Sequence, residues 1–459
     1  METRNEHFIG LDVGTSTVCG CLFDASAEEP VKTVVQSKDD TFTSGNPCFR
    51  FQDPDNIVAQ AIGVIRELAS GCRVAGIGIS CQMHGIVYID GHGNALSPLI
   101  TWQDGRGDLS YRDGLTYAEH LSKASGEHVY TGEGAVTLFH DTVNGLIPQG
   151  TARIATIGDL LAMRLCGTDK PATSPGIARS IGLFDIRSGS FKTALIESLG
   201  MDPGLFPDIS RGARSAVGQC GLLPDSPPVF CAIGDNQASV LGAYFSCRKS
   251  ISRGARPVVL NVGTGSQISF VSALPDNIDS SGSVEVRPFA DDTCLLVGAP
   301  ACGGSAYAAL ADFFSRTAGY FSASRPEDVY PAMEKLLGES LSLEPGEYPS
   351  VRTWFSGSRS RKGVYGSFTD VTLANFTPSG LIRGVAEGII ADLLDCFHEI
   401  NSAFRPAKPP FIIATGGALR RNETFSGMVS ERFGLPVQFS AYKEEAALGA
   451  AVHSAGYRV

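Results

Sequence analysis

Hydrophobic positions fall in short blocks separated by polar, glycine-rich turns, the rhythm of an α/β protein. Ile9 to Leu11 runs into Asp12, turns through Gly14, Thr15, Ser16 and Thr17, and resumes as Val18 to Phe23. This predicts a β-hairpin, and Val31 to Gln36 a third strand beside it. Asp53-Pro54 places a carboxylate at a helix N-cap and a proline at the first helical position. Ile57, Ala61, Val64, Ile65 and Leu68 follow at helical spacing until Gly71 ends the run. Val74 to Ser80 reads as a buried strand with a polar exit, Cys81-Gln82-Met83-His84-Gly85. Ile86 to Ile89, a turn over 90–94, and Leu99-Ile100 lead to Thr101-Trp102-Gln103-Asp104-Gly105-Arg106. Gly158 to Cys166 predicts a helix, and the Pro/Gly-rich stretch from Asp202 to Pro228 predicts loops. Val229 to Ile233 is a short strand ending in Gly234-Asp235-Asn236, with a helix following through Val240, Leu241 and Tyr244.

The basic, irregular run from Cys247 to Arg256 reads as a crossing, and divides the chain into domains at 1–247 and 248–459. Past it the opening pattern returns. Val258 to Val262, then Gly263-Thr264-Gly265-Ser266 and Gln267 to Val271, repeats the strand–turn–strand with Asn261 where the first copy has Asp12. Gly303-Gly304-Ser305 opens a helix from Ala306 to Phe314. Thr377-Pro378 caps a long helix with Leu381, Val385, Ile389, Leu393, Phe397 and Ile400 along one side. Phe411 to Ala414 is a strand ending in Thr415-Gly416-Gly417, and a last helix from Glu444 to Ser454 carries residues small enough for close helix–sheet packing.

Composition narrows the classes. The 459 residues suffice for two to three domains, with 43% hydrophobic and 19% charged content. A net charge of −11 without like-charge runs argues against nucleic acid and anionic membrane surfaces. Asp12 interrupts the first apolar run too early for a signal peptide, and no window of 18 apolar residues exists to span a bilayer. The 12 cysteines are scattered without a C-x-x-C pair, which predicts reduced thiols, no zinc and a cytoplasmic protein.

Candidate chemistry gathers where strands end. A glycine-hydroxyl turn offers backbone N–H groups to an anion, and Asp12 could hold a metal or its waters beside it. The repeat at 261–266 suggests two related halves closing on one nucleotide. Trp102 offers a flat apolar wall, and Gln103, Asp104 and Arg106 can exchange hydrogen bonds with a polyhydroxylated ligand. A surface turn with an ion pair would use the same residues, and Met83 and His84 would serve as packing. Asp235 suits a helix cap or a catalytic carboxylate. Gly416-Gly417 would let a flat or charged ligand approach the backbone.

Taken together, L-D-V-G-T-S-T, Q-M-H-G, T-W-Q-D-G-R, I-G-D-N-Q-A-S, N-V-G-T-G-S and A-T-G-G-A-L-R-R-N resemble the FGGY carbohydrate kinases, in that family's order from Leu11 to Asn422. Within it, three of these motifs look most like the members that phosphorylate sedoheptulose, with the xylulose kinases a further relative. The resemblance implies two actin-like (ribonuclease H-like) domains, each a five-stranded mixed β-sheet flanked by helices, with the active site in the interdomain cleft. It implies ATP and Mg²⁺ as cofactors and transfer to a ketose, sedoheptulose first. By the same resemblance Asp235 is the base, and Asp12 and Asp235 stand near the metal. Gly14, Thr15, Ser16, Gly263, Thr264 and Gly265 line the phosphates. Gly303, Gly416, Gly417 and Asn422 belong to the nucleotide pocket. Gln82, Met83, His84, Trp102, Asp104, Arg106 and Asn236 belong to the sugar pocket. The partners implied are the sugar and ATP, with no nucleic acid or membrane, in a monomer or homodimer. Two departures stand out: Val18 where many relatives carry a basic residue, and Gly357-Ser358-Arg359 where many have Gly-Glu-Arg. The rival classes are an actin-like ATPase without a sugar and an idle binding protein of the same fold.

Overall fold

The computed structural model describes residues 6–38, 41–210, 212, 214–276, 284–290, 293–300, 302–321, 328–357 and 363–458. They form two compact units. The first holds Met1–Phe245, Arg287–Thr293 and Glu444–Val459, and the second holds Ser246–Val286 and Cys294–Lys443.

The first unit opens with strands β1 (His7–Val13), β2 (Thr17–Asp24) and β3 (Glu29–Ser37), an antiparallel meander. Helix α1 (Pro54–Ala69) follows, held at its start by the Asp53 carboxylate, which accepts from the N–H groups of Asp55 and Asn56. Then come β4 (Val74–Cys81), α2 (Gly134–Asn144), α3 (Ile157–Cys166), β5 (Ala216–Gln219), β6 (Pro228–Phe230), β7 (Ile233–Gly234) and α4 (Asp235–Cys247). The sheet runs β5-β6-β4-β1-β2-β3, with β7 beside β4. β4 lies parallel to β1 because α1 carries the chain back between them. Ile57, Ala61, Val64, Ile65 and Leu68 of α1 pack with Leu11, Val13, Val18, Ile77, Ile79, Leu160 and Leu161 in one buried cluster. Each Ile, Leu or Val side chain among them contributes about 1.5–3 kcal/mol of transfer free energy.

The sheet has seven strands among the described residues where the resemblance implies five. β5 adds an antiparallel edge. The run expected as one strand from Val229 to Ile233 splits in two, because its middle bonds elsewhere. Cys231 N–H donates to Ser215 O at 2.9 Å, and the Ala232 carbonyl accepts from the Ser174 hydroxyl at 2.6 Å.

The second unit repeats the opening. β8 (Val258–Val262) and β9 (Ser266–Ala273) form an antiparallel hairpin, followed by β10 (Val284–Pro288), β11 (Thr293–Gly298), helices α5 (Gly304–Phe321) and α6 (Pro378–Phe404), β12 (Ile412–Thr415), α7 (Gly417–Arg421), α8 (Glu423–Phe433) and β13 (Val437–Phe439). The strand order is β10-β11-β9-β8-β12-β13, six rather than five among the described residues. β12 runs parallel to β8 with Asn261 opposite Thr415.

The last helix, α9 (Glu445–Ser454), belongs to the first unit, as does the tip between β10 and β11. It lies directly on β1 and β4. A Cβ added at Gly10 would fall 2.0 Å from the Ala447 carbonyl, and one at Gly78 2.0 Å from that of Ala450. Arg214 closes the far end of α9 by donating to the Ser454 carbonyl at 2.7 and 3.1 Å. Among the described residues, no helix is long and apolar enough to cross a membrane.

Candidate active site

In the first unit the site is built on the ends of β1 and β4. Strand register puts Asp12 opposite Ser80 on one side and Cys19 on the other. The Ser80 hydroxyl donates to Asp12 Oδ1 at 2.7 Å. Burial pushes the Asp12 carboxyl up to about 7, against the Ser80 bond, and the carboxylates of Asp235 and Glu444 add to the rise. The turn closes with Gly14 N–H donating to Thr17 O at 3.0 Å, and Ser16 lies exposed at its tip. Val18 points into the aliphatic core. The residue of β2 on the Asp12 face is Cys19, whose thiol is kept neutral by burial and by Glu444 and Asp12. The departure at Val18 therefore falls on a core position.

Asp235 opens α4 directly after β7. Its Oδ1 accepts from Asn236 N–H at 2.7 Å, so it does contact the first helical turn. It is also next to a cation. Burial raises the Asp235 carboxyl, and the Arg287 guanidinium pulls it back. Arg287, near the end of β10, is 5% exposed and donates to Asn236 Oδ1 at 3.1 Å. It also reaches Met83 Sδ at 4.0 Å. Sequence reasoning missed this residue, and no local signal marks an arginine at a strand end as the partner of a carboxylate 52 positions earlier in the chain. His84 has φ +74°, a conformation a non-glycine residue holds only under constraint. Its N–H meets Ser180 Oγ at 3.3 Å, and Nδ1 lies 2.8 Å from the Ser180 carbonyl. That carbonyl only accepts, so Nδ1 carries a proton and donates to it.

Gln82 is anchored by its own N–H to Val13 O at 2.9 Å. Its Oε1 lies 3.4 Å from the Thr15 hydroxyl, which accepts from the half-exposed Trp102 indole at 3.0 Å. Hydrogen bonds join Thr15, Gln82 and Trp102 in one group, Arg287 joins Met83 and Asn236 in another, and Asp12 feels the Asp235 carboxylate. Asp104 and Arg106 belong to neither group. Asp104 is fully buried and accepts from Arg50 N–H at 2.9 Å and from Arg106 Nε at 2.8 Å. Arg106 donates both ways, to Asp104 and to Asp141 on α2 at 2.7 Å, with Phe49 under its guanidinium at 4.6 Å. Tyr88 and His140 complete the Asp141 shell. The expectation of a sugar contact at these two residues is met by a different arrangement, a buried ion network that fixes the turn carrying Trp102. Both side chains are buried and bonded within this network.

The second unit contains a cavity of about 720 Å³, ample for a nucleotide. Gly263, Thr264, Tyr307, Gly417, Arg421 and Asn422 line it. Gly304 and Ser305 N–H groups donate to Gly263 O and Thr264 O at 2.8 and 3.0 Å, joining α5 to the hairpin turn. Gly265, Gly303 and Gly416 are absent from the wall and shape it from behind. A Cβ on Gly303 would fall 2.6 Å from the Gly265 carbonyl carbon, and one on Gly416, at φ +84°, would fall 2.7 Å from Val262 O. Asn422 caps α8 by accepting from Phe425 N–H at 2.8 Å. The Tyr307 and Tyr330 rings lie near-parallel, 6.3 Å apart at 20°. Ser358 and Arg359 lie outside the described residues.

The metal implied by the resemblance fits this chemistry in one form. Among the described residues no three His, Cys, Asp or Glu side chains form a cage, yet Asp12 and Asp235 are close enough to raise the Asp12 carboxyl. One or two carboxylates with phosphate oxygens and water is the usual setting for Mg²⁺.

One hairpin bears a carboxylate and the other lines a nucleotide-sized cavity, the parts that a phosphoryl-transfer enzyme requires. The sequence model of the "FGGY family of carbohydrate kinases, N-terminal domain" matches residues 7–242, and that of the C-terminal domain matches 258–455. The chain belongs to the FGGY family and is a carbohydrate kinase, moving a phosphoryl group from ATP to a sugar. It is 28% identical to sedoheptulokinase of Mus musculus over 97% of this chain and 96% of that protein. It is 25% identical to xylulose kinase of Streptomyces rubiginosus over 98% of this chain and 87% of that protein. The xylulose kinase structure from Lactobacillus acidophilus shares the fold with a TM-score of 0.81 at 20% identity, covering 98% and 89% of the two chains.

Proposed function

We propose that this kinase phosphorylates a ketose, sedoheptulose foremost, at its terminal C7 hydroxyl, with D-xylulose the second acceptor and Asp235 the general base. The observation that carries the chemistry is Asp235 itself, a carboxylate raised by burial and restrained by Arg287. A carboxylate raised in this way takes a proton more readily than a solvated one. The seven-carbon acceptor is favoured by the near full-length likeness to sedoheptulokinase.

Phosphoryl transfer asks the protein for alignment and charge neutralisation rather than covalent work. The acceptor would lie against the Trp102 indole, with His84 Nε2 and Asn236 fixing its hydroxyls and Arg287 holding Asn236 in place. Asp235 accepts the proton of the attacking hydroxyl as the bond to phosphorus forms. Backbone N–H groups of the two hairpin turns would face the phosphates. Asp12 and Asp235 would hold Mg²⁺, which when bound neutralises charge on the phosphate oxygens. With Asp104 and Arg106 committed to each other and to Asp141, discrimination among acceptors rests on His84, Trp102, Asp235 and Asn236. Leaving such groups unpaired with a short polyol costs about 1–3 kcal/mol each.

A panel of sedoheptulose, D-xylulose, glycerol, glucose and no sugar, read as ADP release, tests the reading. Sedoheptulose should give the highest kcat/KM, D-xylulose the next, and glycerol and glucose several decades less. A clear lead for xylulose overturns the acceptor and keeps the base; sugar-independent turnover makes the protein an ATPase.

A further inference from the structure

Behind the first hairpin turn lies a chain of hydrogen bonds through two residues that no comparison assigns a role, Lys38 and Gln52. Gln52 is fully buried and Lys38 is 7% exposed. The Lys38 ammonium donates to Gln52 Oε1 at 3.2 Å, and Gln82 Nε2 donates to the same oxygen at 2.8 Å. An ammonium can only donate, so the Gln52 amide must turn its oxygen to Lys38 and its nitrogen the other way. That nitrogen reaches the Thr15 carbonyl at 2.8 Å. The Lys38 backbone N–H holds the next carbonyl, Ser16 O, at 2.9 Å. Gln82 Oε1 is turned to the Thr15 hydroxyl, and that hydroxyl accepts from Trp102 Nε1.

Two consequences follow from peptide geometry. In a trans peptide the N–H points opposite to the preceding C=O. Holding the Thr15 and Ser16 carbonyls back therefore turns the Ser16 and Thr17 N–H groups to the opposite side of the turn, where a phosphate is cradled by such groups. The second consequence is a continuous connection from that turn to the half-exposed Trp102 face.

We propose that Gln52 and Lys38 are positioning residues for phosphoryl transfer: they aim the anion-binding turn and couple it, through Gln82 and Thr15, to the acceptor held against Trp102. This rests on the reading of the site as a ketose kinase. An acceptor that orders the indole strengthens its bond to Thr15 and thereby orders the turn. Coupling between sites is reciprocal, so phosphate at the turn favours the acceptor as much as the acceptor favours phosphate.

The measurement is the ratio of ATP turnover with saturating sedoheptulose to turnover without sugar, in wild type, Gln52→Leu, Lys38→Met, Lys38→Arg and Trp102→Phe. A partly unfolded variant lowers both rates alike, so a structural role leaves this ratio unmoved. The ratio should fall about tenfold in Gln52→Leu and Lys38→Met, below the roughly hundredfold that a misplacement of about 1 Å can cost, and recover to about a third of wild type or better in Lys38→Arg. Trp102→Phe keeps the aromatic wall, removes only the N–H, and should lower the ratio likewise even if the Gln52 variant fails to fold. The loss in the Gln52→Leu/Trp102→Phe double variant should be smaller than the product of the single losses. Ratios within twofold of wild type in Lys38→Met and Trp102→Phe overturn the proposal. A wild-type ratio of one overturns the kinase reading instead, which keeps the two failures apart.

Discussion

At the scale of single residues, the proposed chemistry rests on two carboxylates and one arginine. Asp235→Asn keeps the contact with the first turn of α4 but cannot take a proton. We expect kcat to fall by about two to four decades with ATP affinity retained by equilibrium binding; near wild-type turnover would reduce Asp235 to a helix cap. Arg287 acts on the same group. A base works only when ionised, so activity is lost as pH falls through the Asp235 pKa, which burial has already raised above the ordinary carboxylate range. Removing the guanidinium takes away the opposing influence and raises that pKa further. The acid limb of the kcat/KM profile should therefore move to higher pH in Arg287→Met and return toward wild type in Arg287→Lys. A limb unmoved in both variants would show that Arg287 serves packing alone. Asp235 was legible in the sequence because a polar residue after a short apolar run marks a strand end. Arg287 was not, since its partner is chosen by the folding of distant strands.

At the scale of elements, the hairpins were visible as pattern and the glycines only as candidates. Gly416 and Gly417 are adjacent in sequence and opposite in role. Gly416 holds φ +84° with Val262 O where a Cβ would go, whereas a Cβ on Gly417 would meet only the movable Arg421 guanidinium, at 2.9 Å. Gly416→Ala should therefore cost about 1–3 kcal/mol of stability, seen as a lowered Tm. Gly417→Ala should keep Tm and raise the KM for ATP, because Gly417 lines the cavity. Equal Tm losses in the two variants would contradict this division. The buried pair Asp104–Arg106 makes the same point. In sequence the two look like surface polarity offered to a ligand; in the structure Asp141, thirty-five positions away, satisfies the guanidinium from the other side.

At the scale of the whole molecule, the chain's last helix is part of the first sheet's core. α9 packs backbone to backbone on β1 and β4 at Gly10 and Gly78, and Tyr457 joins the ring cluster of Phe23 and Phe245. Truncation after Lys443 should leave that face bare and abolish cooperative folding of the first unit, measured by near-ultraviolet circular dichroism and limited proteolysis. A truncated chain that unfolds cooperatively at the wild-type Tm would show α9 to be dispensable. The small residues of α9 announced tight packing; which sheet received them could not be read from spacing.

The sequence by itself determined what depends on neighbours along the chain. Period-two and period-3.6 patterns set the strands and helices, Asp53-Pro54 and Thr377-Pro378 set helix starts, and the repeated hairpin set the kinship of the two halves. Those signals are local because backbone hydrogen bonding and side-chain direction repeat over a few residues. Only the tertiary structure decided which polar groups face a ligand and which satisfy one another. It put Asp104 and Arg106 inside with Asp141, put Cys19 and not Val18 on the Asp12 face, and brought Arg287 to Asn236 and Lys38 to Gln52. A charge's role is set by what lies within a few ångströms of it, and buried charges must find partners wherever the fold supplies them.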